Sequence, residues 1–320
     1  MRRRLNRGRA SRDAAGSVRP SRALCMCKWA DQAAARSGYN SRTSTGFTVQ
    51  MSSITRVLSI LDLFSEDKLF LSAEDVGAEL DCSIPTAYRY VRELVDAGLL
   101  VRFAGGDYGL GPRIIKLDYH LRVSDPLLAV GRPIMRELSE HSGFDTVMSR
   151  WYGNELVDTH RETHDASLDL RYGRGRPRPL FLGAASKAIL STFPKAKLAG
   201  LFEQYAEDIA QSGLGTTLED FRGSLLRIRR AGFYLSKDEL EVGISALASP
   251  LFTDDSGEAV GALAVIVPTP RLQFANLDRL VESIKEAASR ISQRTRDVIE
   301  SRQTGAVASS QRGARPRRSA

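Results

Sequence analysis

Residues 72–110 read SAEDVGAELDCSIPTAYRYVRELVDAGLLVRFAGGDYGL, and this stretch decides the fold of the N-terminal part of the chain. Ser72 followed by Asp75 has the form of a capping box, in which hydroxyl and carboxylate each accept a free backbone amide, so a helix should begin here. Ser83 predicts the N-cap of a second helix, and Gly98 its end, because glycine is a common helix stop. The apolar residues of the second helix recur at helical spacing. Its predicted buried face is Ala87, Tyr90, Val91 and Leu94.

Two short helices in this arrangement form the helix-turn-helix pattern. Strand signals at residues 100–103 and 108–110, around the turn Gly105-Gly106, add a β-hairpin wing. In such a module the second helix lies in the DNA major groove, its first turn offers backbone amides to a phosphate, and an arginine beside the hairpin turn can meet the DNA backbone. The predicted DNA-contacting residues are Ser83, Thr86, Tyr88, Arg89, Arg92 and Arg102. The alternative is a winged helix that binds no DNA and whose arginines are simply solvated.

Patterned segments continue on both sides of this module. Residues 54–64 predict a short helix, residues 114–123 a linker helix, and Asp125-Pro126 the start of a helix running to about residue 141. Strands and helices then alternate, which predicts an α/β domain. Its predicted strands are 144–152, 155–159, 233–235, 244–247 and 259–267, and its predicted helices are 186–192, 195–205 and 218–231. A last amphipathic helix carries Leu280, Ile284, Ala287, Ile291 and Val298 on one face.

Positive charge is concentrated at the two ends of the 320-residue chain. Residues 1–50 hold 11 Lys and Arg against 2 acidic residues, and residues 301–320 hold 5 against none, so a total of +8 leaves about −6 for residues 51–300. The overall charge is therefore weak evidence for DNA binding. Both ends lack periodicity and are predicted to be disordered. The first 50 residues are either an over-extended reading frame that should begin at Met51 or a basic arm that assists DNA binding.

Cysteine content and hydropathy exclude several classes of protein. The three cysteines, two of them Cys25 and Cys27 in the first 50 residues, form neither an even disulfide framework nor a paired metal knuckle, which favours a reducing cytoplasm. No run approaches 18 apolar residues, and polar sequence follows the N-terminal arginines. The chain is therefore predicted to be neither secreted nor membrane-spanning.

No motif predicts catalysis, a cofactor or a metal. His160 and His164 are four residues apart, but a zinc hydrolase needs a helix and a Glu directly after the first His, and neither is present. Solvated histidines are the favoured interpretation. The sequence also lacks a nucleophile elbow, a phosphate-binding Walker loop and a dinucleotide fingerprint. The prediction is a protein that is not an enzyme, with no catalytic residue, no cofactor and no metal site.

Residues 52 to about 300 resemble the IclR family of bacterial transcriptional regulators. The motifs that carry the resemblance are TRVLSIL at residues 55–61, TAYRYV at 86–91, GLL at 98–100, YGLG at 108–111, PLF at 179–181, AASKAIL at 184–190, and GF at 232–233 followed by DE at 238–239, Gly243 and ALASP at 246–250. The resemblance implies a GAF-like α/β effector-binding domain and a homodimer or dimer of dimers. It also implies repression or activation of genes that usually lie near the regulator's own.

The resemblance further implies where an effector would bind. In the family a small carboxylate or aromatic acid contacts backbone amides at the loop-to-helix motif, here Ala184 and Ala185, and such amides favour a carboxylate. Four further pocket positions, often Asp, Cys, Ser and Ser, correspond to Ser236, Ala246, Ala264 and Ile266. Because all four are less polar or uncharged here, we expect a larger, more apolar or aromatic acid. The alternative for Ala264 and Ile266 is that they are the core of a strand buried on both faces.

The fold class predicted from these observations is α+β, with an N-terminal winged helix-turn-helix domain, a linker helix and a C-terminal GAF-like α/β domain. The predicted segments are a basic tail at 1–50, a DNA-binding domain at 52–112, a linker at 113–125, an effector-binding domain at 126–300 and a second tail at 301–320. The predicted function is a cytoplasmic regulator that binds a double-stranded operator as a homo-oligomer, under control of a small organic acid. The alternative is a small-molecule sensor or enzyme whose winged helix serves only dimerisation.

Overall fold

The computed structural model describes residues 52–313, except residues 154, 167, 169, 171, 172 and 177 and the side chains of residues 303 and 305–313. The basic stretch 1–50, with Cys25 and Cys27, lies outside the described residues. Two compact units are present: one comprises the described residues up to Asp96 together with Arg102–Gly109, the other Ala97–Val101 and the residues from Leu110 onward. In the described part, no helix has both the length and the apolar character needed to cross a bilayer.

The N-terminal unit is built on three short helical segments. Helix α1 (Ser53–Leu58) continues into a 3₁₀ turn, and helix α2 (Ala73–Glu79) begins at the predicted capping box. The Ser72 hydroxyl accepts the Asp75 amide at 3.0 Å, and the Asp75 carboxylate accepts the Ser72 amide at 2.8 Å. Two amides without helical partners are thereby satisfied, which fixes where the helix starts.

Helix α3 (Ile84–Asp96) buries the four predicted residues Ala87, Tyr90, Val91 and Leu94. Strands β1 (Leu100–Arg102) and β2 (Tyr108–Leu110) form the predicted two-stranded wing. Strand β1 ends one residue earlier than predicted because the Phe103 amide donates to the Asp107 carbonyl at 2.8 Å and so belongs to the turn.

The second unit contains helices α4 (Pro112–Ser124) and α5 (Pro126–Ser142) followed by a five-stranded antiparallel sheet in the order β4-β3-β7-β6-β5. The Asp125 carboxylate caps α5 by accepting the Leu127 amide at 2.9 Å. The strands are β3 (Asp145–Tyr152), β4 (Glu155–Glu162), β5 (Tyr234–Lys237), β6 (Ile244–Leu251) and β7 (Gly261–Pro268). The remaining helices are α6 (Ala184–Leu190), α7 (Lys195–Gln211), α8 (Leu218–Ala231), α9 (Thr269–Leu272) and α10 (Leu277–Gly313).

The sheet has an apolar layer on each face. Helices α5 and α10 pack on one face, around Met148, Leu247 and Val265, and α6 packs on the other, around Ala248 and Ala264. Strand β7 alternates between these layers, because successive side chains of a strand point to opposite faces. The run of apolar residues at 262–267 is therefore a strand buried on both faces, as one of the two sequence interpretations expected.

Several boundaries differ from prediction, among them the ends of strands β4 and β6, which extend to Glu162 and Leu251. Helix α6 begins at Ala184 instead of Ser186, and α7 continues to Gln211 through a non-helical residue at Tyr205. Residues 301–313, expected to be disordered, continue helix α10. In this region the Ser301 hydroxyl donates to the carbonyl of Asp297, four residues back, which is a bond compatible with helical geometry. Residues 314–320 lie outside the described part.

Candidate DNA-binding surface and effector site

The outer face of helix α3 carries the predicted DNA-contacting side chains. Tyr88, Arg89 and Arg92 are exposed, whereas Thr86 is half-buried. The helical spacing places these residues on the side of the helix opposite to the four buried ones, so the polar face stays exposed while the other face packs on the domain. A phenol and two guanidiniums are thus presented together on one side of a regular helix, the arrangement required for contact with base edges and phosphates.

The start of α3 differs in detail from the expected cap. The Ser83 hydroxyl lies 2.9 Å from the Thr86 hydroxyl, and the Ser83 carbonyl accepts the amides of Thr86 and Ala87. The two hydroxyls therefore form a pair that orients Thr86. Either hydroxyl can still accept or donate one more hydrogen bond, since each has one donor and two acceptor sites.

Among the described residues, Tyr88, Arg89 and Arg92 on the exposed face of α3 have only weak partners. The Tyr88 phenol reaches Glu74 at 3.5 Å, and Arg92 lies 3.9 Å from Asp96, both at the outer limit of such contacts. The Arg89 guanidinium lies 5.5 Å from the ring centroid of Tyr90. Exchanging contacts this loose for contacts to DNA costs little.

The wing presents Arg102 as expected. Arg102 is exposed, and its guanidinium lies 6.0 Å from the ring centroid of Tyr108. Next to it, Phe103 packs edge-on against Phe70 at 5.0 Å between centroids, which attaches the turn of the wing to the body of the N-terminal unit. A hairpin held in this way can place a cation against a DNA backbone, although it carries few groups that could read bases.

The structure brings the predicted effector residues to one face of the large sheet. Ser236, Ala246 and Ile266 are register partners on adjacent strands β5, β6 and β7, and Ala264 lies in the next row. Ala184 and Ala185 begin helix α6, which covers this face. All six residues are buried, and the Ser236 hydroxyl donates to the Ala246 carbonyl at 3.4 Å. We call this set of six residues the predicted effector face.

A buried ion pair borders the predicted effector face. Lys187 Nζ lies 2.8 Å from the Glu239 carboxylate, which also accepts the Gly183 amide at 3.0 Å and the Tyr234 phenol at 2.7 Å. Burial and the neighbouring Glu239 carboxylate raise the pKa of Tyr234 far above its ordinary value. Tyr234 is therefore a permanent hydrogen-bond donor to Glu239, and the three side chains fix the loop that leads into α6.

A second buried ion pair was missed by the sequence reasoning. Arg178 Nη1 donates to both oxygens of Asp158, at 2.8 and 3.0 Å, and the Asp158 carboxylate also accepts the Ser149 hydroxyl at 2.6 Å. All three residues are buried. The only signal in the sequence was an arginine among prolines just before the PLF motif, which does not reveal that the side chain folds into the protein.

The histidine pair considered as a metal site is divided between two environments. His160 Nε2 lies 2.7 Å from Glu162 on strand β4, whereas His164 is exposed beyond the end of that strand. Burial lowers the pKa of His160, although the hydrogen bond to Glu162 opposes this effect. Among the described residues, no cluster of three metal-ligating side chains occurs.

Two surface cavities lie outside the predicted effector face, and the second is next to the ion pair that borders this face. One, of about 500 Å³, lies between α5 and α10 and includes Phe144 and Arg271 in its lining. The other, of about 380 Å³, lies beside Lys187 and Tyr234. None of the six predicted effector residues lines either cavity, so the face that the sequence singled out is covered by α6 in this conformation.

Comparison with known proteins links both units to one family. Residues 53–102 match the family model of the IclR helix-turn-helix domain, and residues 121–293 match that of the bacterial transcriptional regulator IclR C-terminal domain. The HTH-type transcriptional regulator KipR of Bacillus subtilis is 26% identical over 243 residues, covering 75% of this chain and 96% of KipR. The HTH-type transcriptional repressor AllR of Escherichia coli K12 is 26% identical over 247 residues, covering 75% of this chain and 88% of AllR.

Solved structures share the fold. The crystal structure of an IclR homolog from Microbacterium hydrocarbonoxydans complexed with 4-hydroxybenzoate is similar, with a TM-score of 0.62 and 24% identity, covering 77% of this chain and all of that chain. An IclR transcriptional regulator from Alicyclobacillus acidocaldarius has a TM-score of 0.65 at 19% identity, covering 77% of this chain and 99% of that one. The expected α+β architecture, with an N-terminal helix-turn-helix and a C-terminal effector-type domain, is confirmed.

Proposed function

The chain belongs to the IclR family of bacterial transcriptional regulators, and from that premise we propose how it recognises DNA and responds to a small molecule. Residues 52–112 bind a pseudo-palindromic operator as part of a dimer, and residues 126–300 bind an organic acid that shifts the dimer between DNA-competent and incompetent arrangements. Residues 113–125, most of which form α4, couple the two.

The observation that carries DNA recognition is the exposed polar face of α3. Tyr88, Arg89 and Arg92 stand on a helix whose opposite face is fully packed, and their partners within the protein are weak. Thr86, oriented by Ser83, supplies a hydroxyl and a methyl group at base level, while Arg102 in the wing contacts the DNA backbone. Helix α3 reads sequence, and the wing fixes position.

An aromatic or relatively apolar acid is the effector class that fits the predicted effector face best. The four positions Ser236, Ala246, Ala264 and Ile266 offer one hydroxyl, which is already bonded to a carbonyl, and three apolar side chains. We expect such a surface to bind an aromatic ring more tightly than a small keto acid. The homologue of similar fold from Microbacterium was crystallised with 4-hydroxybenzoate, an acid of this kind.

Helix α4 supports a homo-oligomer, because the other described residues leave it exposed. No residue of α4 is buried, although it carries five large apolar side chains, Ile115, Leu117, Tyr119, Leu121 and Val123. Isolated helices of this length are marginal in water, so a helix with these exposed side chains needs a partner. A second copy of the chain is the partner that family membership favours.

The experiment that tests operator recognition replaces Thr86 and Arg89 together by alanine. In a gel-shift titration of the full-length protein against its own upstream intergenic DNA, we expect this variant to lose specific retention while keeping its oligomeric state. Arg230→Ala, which removes an exposed arginine from α8, is the matched control and should leave retention unchanged. Unchanged retention by the double variant would instead support the alternative in which the winged helix serves only dimerisation.

A further inference from the structure

Arg178 is a buried arginine with an unused donor. Only 5% of its side chain is exposed, and Nη1 is fully engaged by the two oxygens of Asp158. Nε, on the opposite edge of the guanidinium, is buried and has no hydrogen-bond partner among the residues that the structure describes. A buried donor without a partner lowers the stability of the folded protein. A bound ligand that accepts a hydrogen bond from Nε would remove this cost.

Burial distinguishes Arg178 from other arginines whose Nε lacks a partner. Arg150, Arg222 and Arg296 share that feature. Arg222 is only half-buried, and the side chains of Arg150 and Arg296 are 19% and 29% exposed, so small movements bring them into contact with water. Arg178 cannot reach water by a small movement, because its Nη1 edge is bonded to Asp158, which Ser149 holds in place inside the protein. The guanidinium is therefore held rigidly with its Nε edge directed away from Asp158.

The position of Arg178 connects it to the predicted effector face. A Cβ atom built on Gly183, the residue before α6, would lie 3.5 Å from Arg178 Nη2, so this nitrogen of the guanidinium is next to the start of that helix. Ser149, which supports Asp158, pairs across the sheet with Ala262, two residues from Ala264 and on the same face of β7. Arg178 therefore lies on the side of the sheet where the alanines and α6 meet.

We infer that Arg178, together with the amides at the start of α6, recognises the carboxylate of the effector. The carboxylate pairs with the Nε and Nη2 donors of Arg178 while Asp158 holds Nη1. The inference rests on the proposed effector function and names its anionic recognition group. A carboxylate matches two parallel N–H donors of a guanidinium, and such fork-like pairs are both stronger and more directional than neutral hydrogen bonds. A primary amide of the same shape offers one acceptor and two donors, so it fits this edge poorly.

The test is calorimetric titration of the full-length protein with benzoate and 4-hydroxybenzoate and with the neutral amides benzamide and 4-hydroxybenzamide. Removing both members of the pair, in Arg178→Met with Asp158→Asn, avoids leaving an unpaired buried charge. The matched control is Arg161→Met with Asp145→Asn, an Arg–Asp pair between strands β4 and β3 whose arginine is half-buried. Arg178→Lys retains the charge opposite Asp158 but lacks the fork.

We expect wild type to bind at least one acid in preference to its amide. The Arg178 double variant should bind that acid about 10- to 100-fold more weakly and lose the preference over the amide, and the control should keep both. If the double variant does not fold, Arg178→Lys provides the test, and we expect its affinity for the acid to be about 10-fold lower than that of wild type. Retained preference in the Arg178 variants, or no acid bound by wild type, would overturn the inference. Gel shifts on the same preparations test operator binding separately, because calorimetry needs no DNA.

Discussion

At the scale of single residues, position on the module determines what a polar group contributes to DNA binding. Thr86 is half-buried at the base of α3 and paired with Ser83, so its orientation is set before DNA arrives. Arg102 is exposed on the wing with only an aromatic neighbour. An oriented hydroxyl can discriminate between bases, whereas a loosely held guanidinium contributes charge at any sequence.

Thr86→Ala should therefore reduce sequence preference, and Arg102→Ala should weaken binding to all DNA. We expect the ratio of specific to random-sequence affinity to fall about 5-fold or more for Thr86→Ala. For Arg102→Ala, both affinities should fall together and the slope of log K against log salt should decrease by about 1. Fluorescence anisotropy with specific and random duplexes at several salt concentrations measures both quantities. If both substitutions changed the specificity ratio and the salt slope by the same amounts, the assignment of sequence reading to Thr86 and backbone contact to Arg102 would be contradicted.

Asp75 should make the capping box of α2 sensitive to acid. Hydrogen bonds from Ser72 and Lys68 lower the pKa of Asp75 to about 2. Because this folded-state pKa lies below the unfolded value of about 3.9, the stabilisation is fully present above that pH and is lost as the pH falls through 2. Asp75→Asn should lower the free energy of unfolding by about 1 kcal/mol at pH 7.

Thermal unfolding of the full chain from pH 7 to pH 3 checks this expectation. The difference between wild type and Asp75→Asn should narrow as the pH falls from 5 to 3. Glu74→Gln removes a neighbouring acidic residue of the same helical turn that does not close the box, and serves as the control. A difference that is independent of pH would show that the carboxylate is not the group involved.

Sequence could predict buried residues better than side-chain partners. The buried face of α3 follows from helical spacing alone, because Ala87, Tyr90, Val91 and Leu94 recur every three or four residues. The Ser83–Thr86 hydroxyl pair and the Arg178–Asp158 pair could not be predicted. Both depend on rotamers, and the second also on a contact between segments 20 residues apart that only the folded sheet brings together.

At the scale of elements, helix α4 has two apolar stripes instead of one. Ile115, Tyr119 and Val123 follow one another at four-residue spacing, and Leu117 and Leu121 do so on a different side. An amphipathic surface helix normally has a single apolar stripe against its own core. The pattern in α4 is that of a helix covered on more than one side, and the other described residues leave both stripes exposed.

Replacing Ile115 and Tyr119 by serine should therefore weaken the dimer. Their side chains are 74% and 63% exposed within one chain, and burying a large apolar side chain contributes roughly 1.5–3 kcal/mol. We expect the dimer dissociation constant to rise at least about 10-fold in sedimentation-velocity experiments. Lys116→Ser, on an exposed position between them, is the control. A monomeric wild type would contradict the assignment of this surface.

An ion pair links α4 to the segment that contains Arg178. Arg174 bonds to Asp118 on α4 and also donates to the carbonyl of Thr159 on β4 at 3.2 Å. Arg174 and Arg178 are four residues apart in sequence, so a change at Arg178 on effector binding can reach α4 through a short covalent path. Asp118 thus lies where coupling between acid and DNA would pass.

Asp118→Asn should uncouple the two functions without abolishing either. We expect the acid-dependent change in operator affinity to shrink about 5-fold or more, while acid affinity and basal operator affinity remain within about 2-fold of wild type. Calorimetry and gel-shift titration measure these quantities. Glu203→Gln, which removes an exposed carboxylate from α7, serves as a control for loss of charge. An undiminished acid response in Asp118→Asn would exclude this path.

Element boundaries were predictable where local signals are strong. Helix α8 and strand β2 have the expected bounds. Thr217 caps the start of α8, and glycines follow the ends of both elements. Helix α10 was predicted to end before residue 301 because residues 301–313 lack an apolar stripe, yet the helix extends to Gly313. Periodicity detects a helix that packs on a core, and it misses one that projects beyond it.

At the scale of the whole molecule, the net positive charge is separated from the segments that we propose bind DNA and the effector. The net positive charge lies in residues 1–50 and 301–320, whereas residues 51–300 sum to about −6. DNA affinity of the described part must therefore come from the local arrangement on α3 and the wing, and not from overall attraction. The predicted effector face, by contrast, is buried, and ion pairs have larger effects in buried surroundings than at the surface.

The most direct test of this division is a gel-shift titration of the full-length protein against its own upstream intergenic DNA, with random-sequence competitor, repeated with a panel of aliphatic and aromatic acids. We expect specific retention that resists competitor and that an aromatic acid releases or strengthens, while small aliphatic acids have less effect. Specific retention that no acid alters would contradict the effector assignment. Retention no stronger on the intergenic DNA than on random DNA would contradict the central claim that α3 recognises an operator.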